Sequence, residues 1–165
     1  MKRITTILFL LLASIYAQAF TLVIDPGHGG KDAGAIGKNS KEKDINLAVA
    51  LAFGEMVKAN FPDVKVIFTR KTDVFVELSE RANIANKAKA DLFVSIHTNS
   101  LPKGRISRGT ETYTLGMHKA AENLEVAKRE NSVITMESNY KTHYEGFDPS
   151  SSESYIIFEF MQDQN

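Results

Sequence analysis

Three residues of this sequence have the types and settings to act on one another. They are His28 in Asp25-Pro26-Gly27-His28-Gly29-Gly30, Glu42 in Lys41-Glu42-Lys43-Asp44, and His97 after the apolar run Leu92-Phe93-Val94-Ser95-Ile96. Two imidazoles and a carboxylate form a zinc-binding set that leaves a fourth tetrahedral place for water, the mark of a catalytic rather than a structural site. A metal held there lowers the pKa of water towards ~7 and polarises a carbonyl. Each residue also has a plainer reading. A histidine in a glycine turn can be an ordinary hydrogen-bonded loop residue, a glutamate in a first helical turn complements the helix dipole, and a histidine at a strand end is often structural. The chain has no cysteine. Disulfides, thiolate metal sites and a Cys nucleophile are therefore excluded, and any metal must be held by His, Asp or Glu.

The elements that must position this set follow from the hydrophobic pattern. Phe20 to Asp25 is expected to be a strand with both faces apolar, ending in the Gly-rich turn. After a loop from Gly30 to Ser40, the spacing of Ile45, Leu47, Ala48, Leu51, Ala52, Met56 and Val57 predicts a helix from Glu42 to Asn60, stopped at Phe61-Pro62. A second strand over Val64 to Thr69, a helix over Leu78 to Lys89 and a third strand over Asp91 to His97 complete two βαβ units. Parallel strands would carry His28 and His97 on the same rim, where Glu42 joins them from the helix start. Gly109 to Leu115 predicts a further strand, and Lys119 to Ile134 a helix. The charges of Lys119, Glu122, Glu125, Lys128, Arg129 and Glu130 describe a solvated face of that helix. Residues 136–152 are polar and turn-rich, and Ser150 to Ser152 offer an N-cap for a short helix over Glu153 to Gln162, with strand as the alternative. The expected fold is a single α/β domain, a mixed and mostly parallel sheet flanked by helices.

The N-terminus is a separate object. Lys2 and Arg3, an apolar run from Ile4 to Tyr16, and Ala17-Gln18-Ala19 together predict an export signal over residues 1–19, with the folded domain over 20–165. Removal of the signal leaves no stable membrane anchor, and no cysteine is present for a lipid. The expected location is the periplasm or cell envelope. With 20 basic against 20 acidic residues and no block of like charge, nothing favours nucleic acid as a partner.

Five ordered blocks carry a family resemblance. They are Val23-Ile24-Asp25-Pro26-Gly27-His28-Gly29-Gly30-Lys31-Asp32-Ala33-Gly34-Ala35, Lys41-Glu42-Lys43-Asp44-Ile45-Asn46-Leu47, Thr69-Arg70, Leu78-Ser79-Glu80-Arg81-Ala82-Asn83, and Phe93-Val94-Ser95-Ile96-His97-Thr98-Asn99-Ser100. Together they resemble the zinc-dependent N-acetylmuramoyl-L-alanine amidases of bacterial cell walls. The resemblance implies that His28, Glu42 and His97 hold one Zn2+. It also implies hydrolysis of the amide joining the lactyl group of N-acetylmuramic acid to L-alanine in peptidoglycan, in wall turnover or daughter-cell separation. A second carboxylate would move the proton from water to the leaving amine.

In the resembled family that base is a glutamate on a late strand, and this chain lacks a clear match to its motif. Glu159 in Ile157-Phe158-Glu159-Phe160 is the nearest candidate. The expectation is that the sequence ends inside the family's domain, before the strand that carries the base. A segment of about 116–162 also falls where some members insert a helical regulatory element, on which an activator protein could act. Glu137 or His118 could there offer a competing metal ligand, but the charge pattern favours a solvated helix, with His118 and His143 as surface residues. Arg70 and Arg81 are expected to form structural ion pairs rather than to face substrate. Two rival functions remain open: a zinc peptidase cutting stem peptides, and a peptidoglycan-binding remnant that keeps its metal without turnover.

Overall fold

The computed structural model describes residues 19–100, 108–113, 126, 128–144 and 151. Its order is β1 (Thr21–Pro26), α1 (Glu42–Asn60), β2 (Lys65–Phe68), α2 (Leu78–Ala88), β3 (Leu92–Ile96), a 3-10 turn (Ser132–Met136) and a short helix α3 (Tyr140–His143). The three strands form one sheet in the order β2-β1-β3, with both pairings parallel. The expected α/β fold is present, with each of the first five elements within a residue or two of its expected bounds.

The alternation of β1 assigns its two faces. Leu22 and Ile24 point to one side and pack with Phe68 and with Ala50 of α1, joined by Leu51, Phe53, Val57, Val94 and Ile96. Fully burying a side chain such as Ile24 stabilises by about 1.5–3 kcal/mol, so this layer fixes α1 on the sheet. Gly54 lets the helix close on Phe68, since a Cβ there would come within 2.2 Å of the ring. The opposite face of β1 meets α2 through a polar contact. Arg81 Nη1 of α2 donates to Asp25 Oδ1 at 2.7 Å, and Asp25 also accepts from Thr69 Oγ1 at 2.5 Å and Ser95 Oγ at 2.8 Å. One buried carboxylate thereby ties all three strands to α2. Arg81 forms the expected ion pair. Arg70 instead donates to carbonyl oxygens, those of Pro26, Gly27, Lys43 and Thr72.

Strand order makes the edge between β1 and β3 special. The chain leaves β1 in one direction, to β2, and returns past it to β3, so the crevice at the carboxyl ends of β1 and β3 is a topological switch point, where ligands of open α/β sheets bind. Two expectations for later residues change. Gly109 to Tyr113 are exposed and form no strand; Tyr113 donates to Glu111 on its own segment, at 2.6 Å, rather than lying in a ladder. Residues 114–115 and the expected helix Glu153 to Gln162 lie outside the described residues, as do residues 1–18. Residues 128–131 are helical, as expected, and pass at Ser132 into the 3-10 turn. The expected mixed sheet is a parallel one among the described residues, and residues 109–113 add no strand to it.

Candidate functional site

The register of the sheet decides where the two histidines meet. Pro26 pairs with Ile96, and Gly27 N donates to Ile96 O at 3.0 Å, which carries the ladder one step past the strand ends. His28 and His97 follow at once, and their rings stand edge to face with centroids 4.8 Å apart. His28 occupies the left-handed region at φ 61, unusual for a residue with a side chain and a marker of functional turns. Glycines make the space: a Cβ at Gly27 would lie 2.4 Å from the His97 ring, and one at Gly34 would lie 2.5 Å from the His28 ring.

Glu42 is the first residue of α1 and is buried, 5% exposed. Its carboxylate is held on both oxygens. Oε2 accepts from Ala35 N at 2.9 Å, and Oε1 accepts from Thr98 N at 2.8 Å. The fully buried Asn46, one turn on, donates to Gly27 O and accepts from Thr98 Oγ1, which joins the helix to both histidine-bearing turns. In this frame Glu42 Oε1 lies 3.4 Å from His28 Nε2 and 3.3 Å from His97 Nδ1. The structure thus brings together all three residues singled out in the sequence.

A fourth residue joins them. Glu130 Oε2 lies 2.8 Å from His97 Nδ1 and 3.3 Å from His28 Nε2, where the charge pattern of its helix predicts a solvated residue. The error has a physical origin: helical periodicity shows which residues share a face, and not what a later segment covers. Arg129, on the same expected face, donates to Asn99 Oδ1 at 2.6 Å and so latches the segment to the loop after β3. Lys31 Nζ holds Met136 O, while Val133 and Ile134 are buried. Glu137, the candidate competing ligand, is elsewhere. Its Oε1 accepts from Leu78 N at 2.7 Å, capping the N-terminus of α2, where a carboxylate satisfies a free N–H and the helix dipole. His118 and Glu159 lie outside the described residues.

His28, Glu42, His97 and Glu130 each offer one donor atom, and these atoms lie within 4.8 Å of one another. The donor set suits a metal ion. Among the described residues, His28 Nε2 and His97 Nδ1 are buried and make no well-aligned hydrogen bond, although carboxylate oxygens lie 2.8–3.4 Å away. Both atoms face the space shared by the two carboxylates. A shallow groove lined by Ile36, Ile45 and Asn99 borders Glu42.

The charges are strongly coupled. Burial alone would lower the pKa of His28, but the carboxylates of Asp32, Glu130 and Glu42 carry it up to about 11. For His97, burial is likewise outweighed by Glu130 and Glu42, which bring it to about 9. Burial would raise both glutamates, yet the two imidazoles hold Glu130 down at about 2 and Glu42 well below the usual carboxylate range. Without metal, both rings are therefore protonated at neutral pH. Their pKa values lie above the 6.5 of an unperturbed histidine, so the stability they contribute is full below that pH and is lost as pH rises through about 9 and then about 11. In the presence of a chelator, the thermal midpoint of the chain should fall as pH is raised from 6.5 to about 9. A midpoint independent of pH over that window would contradict this charge assignment.

Fold and site together define a parallel α/β domain with a His–Glu–His–Glu cluster at its switch point, a group that could hold a metal ion. The model of the N-acetylmuramoyl-L-alanine amidase family matches residues 22–159, and the chain belongs to that family. It is 37% identical over 127 residues to the probable N-acetylmuramoyl-L-alanine amidase AmiB of Haemophilus influenzae, covering 73% of this chain and 29% of that protein. The endolysin of Bacillus phage SPP1 is 49% identical over 90 residues, 54% of this chain and 32% of the phage protein. The chain thus spans a third or less of the length of these curated relatives. Among solved structures, the catalytic domain of the amidase CwlV from Bacillus (Paenibacillus) polymyxa var. colistinus superposes with a TM-score of 0.54 at 40% identity, covering 67% of this chain and 61% of that one. An amidase from Clostridium difficile 630 gives 0.52 at 33% identity, over 71% and 65% of the two chains.

Proposed function

We propose that this chain is an exported, zinc-dependent amidase that hydrolyses the bond between N-acetylmuramic acid and L-alanine in peptidoglycan. One observation carries the reading. In a member of this family, two buried imidazole nitrogens and a carboxylate face one another at the switch point of the sheet. His28, Glu42 and His97 would hold the ion. When bound, zinc supplies a Lewis acid for the amide carbonyl and lowers the pKa of water.

The protein's own residues do the rest. Ala35 N and Thr98 N fix the Glu42 carboxylate, so the donor geometry exists before any ligand arrives. The groove beside Ile36 and Ile45 leads to that carboxylate and gives the muramoyl peptide a route in. Glu130 takes a further side of the cluster, one that a substrate carbonyl would need. The chain as folded is therefore a closed form. A partner protein that draws the segment around 128–137 away would open it.

Digestion of purified peptidoglycan by the wild-type and Glu130→Ala chains tests the activity. The expected products are intact stem peptides with a free N-terminal L-alanine and glycan strands freed of peptide. Shorter peptides would replace the amidase by a stem-peptide peptidase, and no release by either chain would leave a binding remnant.

A further inference from the structure

We infer that Asp32 is a positioning residue for His28, selecting the ring tautomer whose Nε2 is free to bind the metal. This role rests on the zinc reading above. His28 Nδ1 and Asp32 Oδ2 are 2.7 Å apart, and both side chains are only 9% exposed. The carboxylate cannot swing away. Gly34 N donates to Asp32 Oδ1 at 3.0 Å, and the backbones of Gly29 and Asp32 hold each other through two hydrogen bonds, at 2.9 and 3.1 Å.

The consequence follows from donor and acceptor counting. A neutral imidazole carries one ring proton, and an ionised carboxylate can only accept. In the neutral ring that binds a metal, Asp32 therefore holds the proton at Nδ1 and leaves the lone pair on Nε2, the atom that faces Glu42 and Glu130. The same contact helps fix the plane of the His28 ring. Partners of this kind behind a metal-binding histidine typically change metal affinity by about 10- to 100-fold.

An asparagine at this position separates tautomer control from simple packing. It has the shape of aspartate, and its Oδ1 can still accept from Gly34 N. Its amide NH2 would then face His28 Nδ1, which must become the acceptor, and the ring proton would move to Nε2. If Asp32 only filled space, Asp32→Asn would behave as wild type and Asp32→Ala would not. If it selects the tautomer, Asn should be at least as damaging as Ala.

The test is a competition titration of zinc against a chelator on the full-length wild-type, Asp32→Asn and Asp32→Ala chains, with circular dichroism verifying the fold. Wild type should bind one equivalent, and both variants should bind it about 10- to 100-fold more weakly. Wild-type affinity in Asp32→Asn would overturn the role. A wild-type chain that binds no zinc would overturn the metal centre, and the role with it. Ring-nitrogen NMR of the zinc-loaded wild type gives a second readout that needs no variant. Nδ1 of His28 should carry the proton and Nε2 the coordination shift, and the reverse assignment would contradict the inference.

Discussion

Glu130→Ala is expected to raise peptidoglycan hydrolysis at saturating zinc by about 5- to 150-fold, the range of coupling energies by which one part of a protein ordinarily restrains another. Glu130 Oε2 is 2.8 Å from His97 Nδ1 and 3.3 Å from His28 Nε2, so it fills the side of the cluster that a substrate carbonyl would need. The imidazoles hold its pKa down at about 2, so it stays an anion across the working pH range. Glu130→Gln keeps the shape but loses the charge, and should fall between wild type and alanine. Turnover measured with zinc content monitored in parallel checks this. Equal rates at equal metal content would show that the segment does not restrain the site.

Arg81→Ala is expected to destabilise the metal-free chain by about 3–5 kcal/mol, because truncating one partner of a buried ion pair leaves the other charged and unpaired. The side chains of Arg81 and Asp25 are 6% and 5% exposed. Arg81 also donates to Pro26 O at 3.0 Å and to His28 O at 2.9 Å, so it clamps the turn that presents His28. Arg81→Lys should recover only part of the loss, since an ammonium cannot span Asp25 and two carbonyls as the planar guanidinium does. Urea unfolding of the three chains gives the comparison. A loss below about 1 kcal/mol for Arg81→Ala, the scale of an exposed pair, would show that the clamp is not a structural keystone.

The part of the molecule that positions the site was legible because it is local. Apolar runs ending in a Gly turn mark β1, helical spacing from Ile45 to Val57 marks α1, and parallel pairing then places His28, Glu42 and His97 on one rim. What stayed hidden depends on tertiary contact. Glu130 and Arg129 carry the pattern of a solvated helix face, and only the return of that segment over the switch point turns one into a cluster member and the other into a latch. Glu137 caps the N-terminus of α2, a role its sequence does not announce because an acidic residue suits a metal and a helix N-terminus equally well. The strand expected over Gly109 to Leu115 is not formed at its described residues, 109–113, for a related reason: β-forming composition supplies no neighbouring strand to pair with.

The central claim is that His28, Glu42 and His97 form a zinc site. Metal analysis of purified wild-type and His28→Ala chains tests it most directly, with circular dichroism to establish that both are folded. The account predicts one equivalent of zinc in wild type and its loss in His28→Ala. Equal zinc content in the two chains would contradict it.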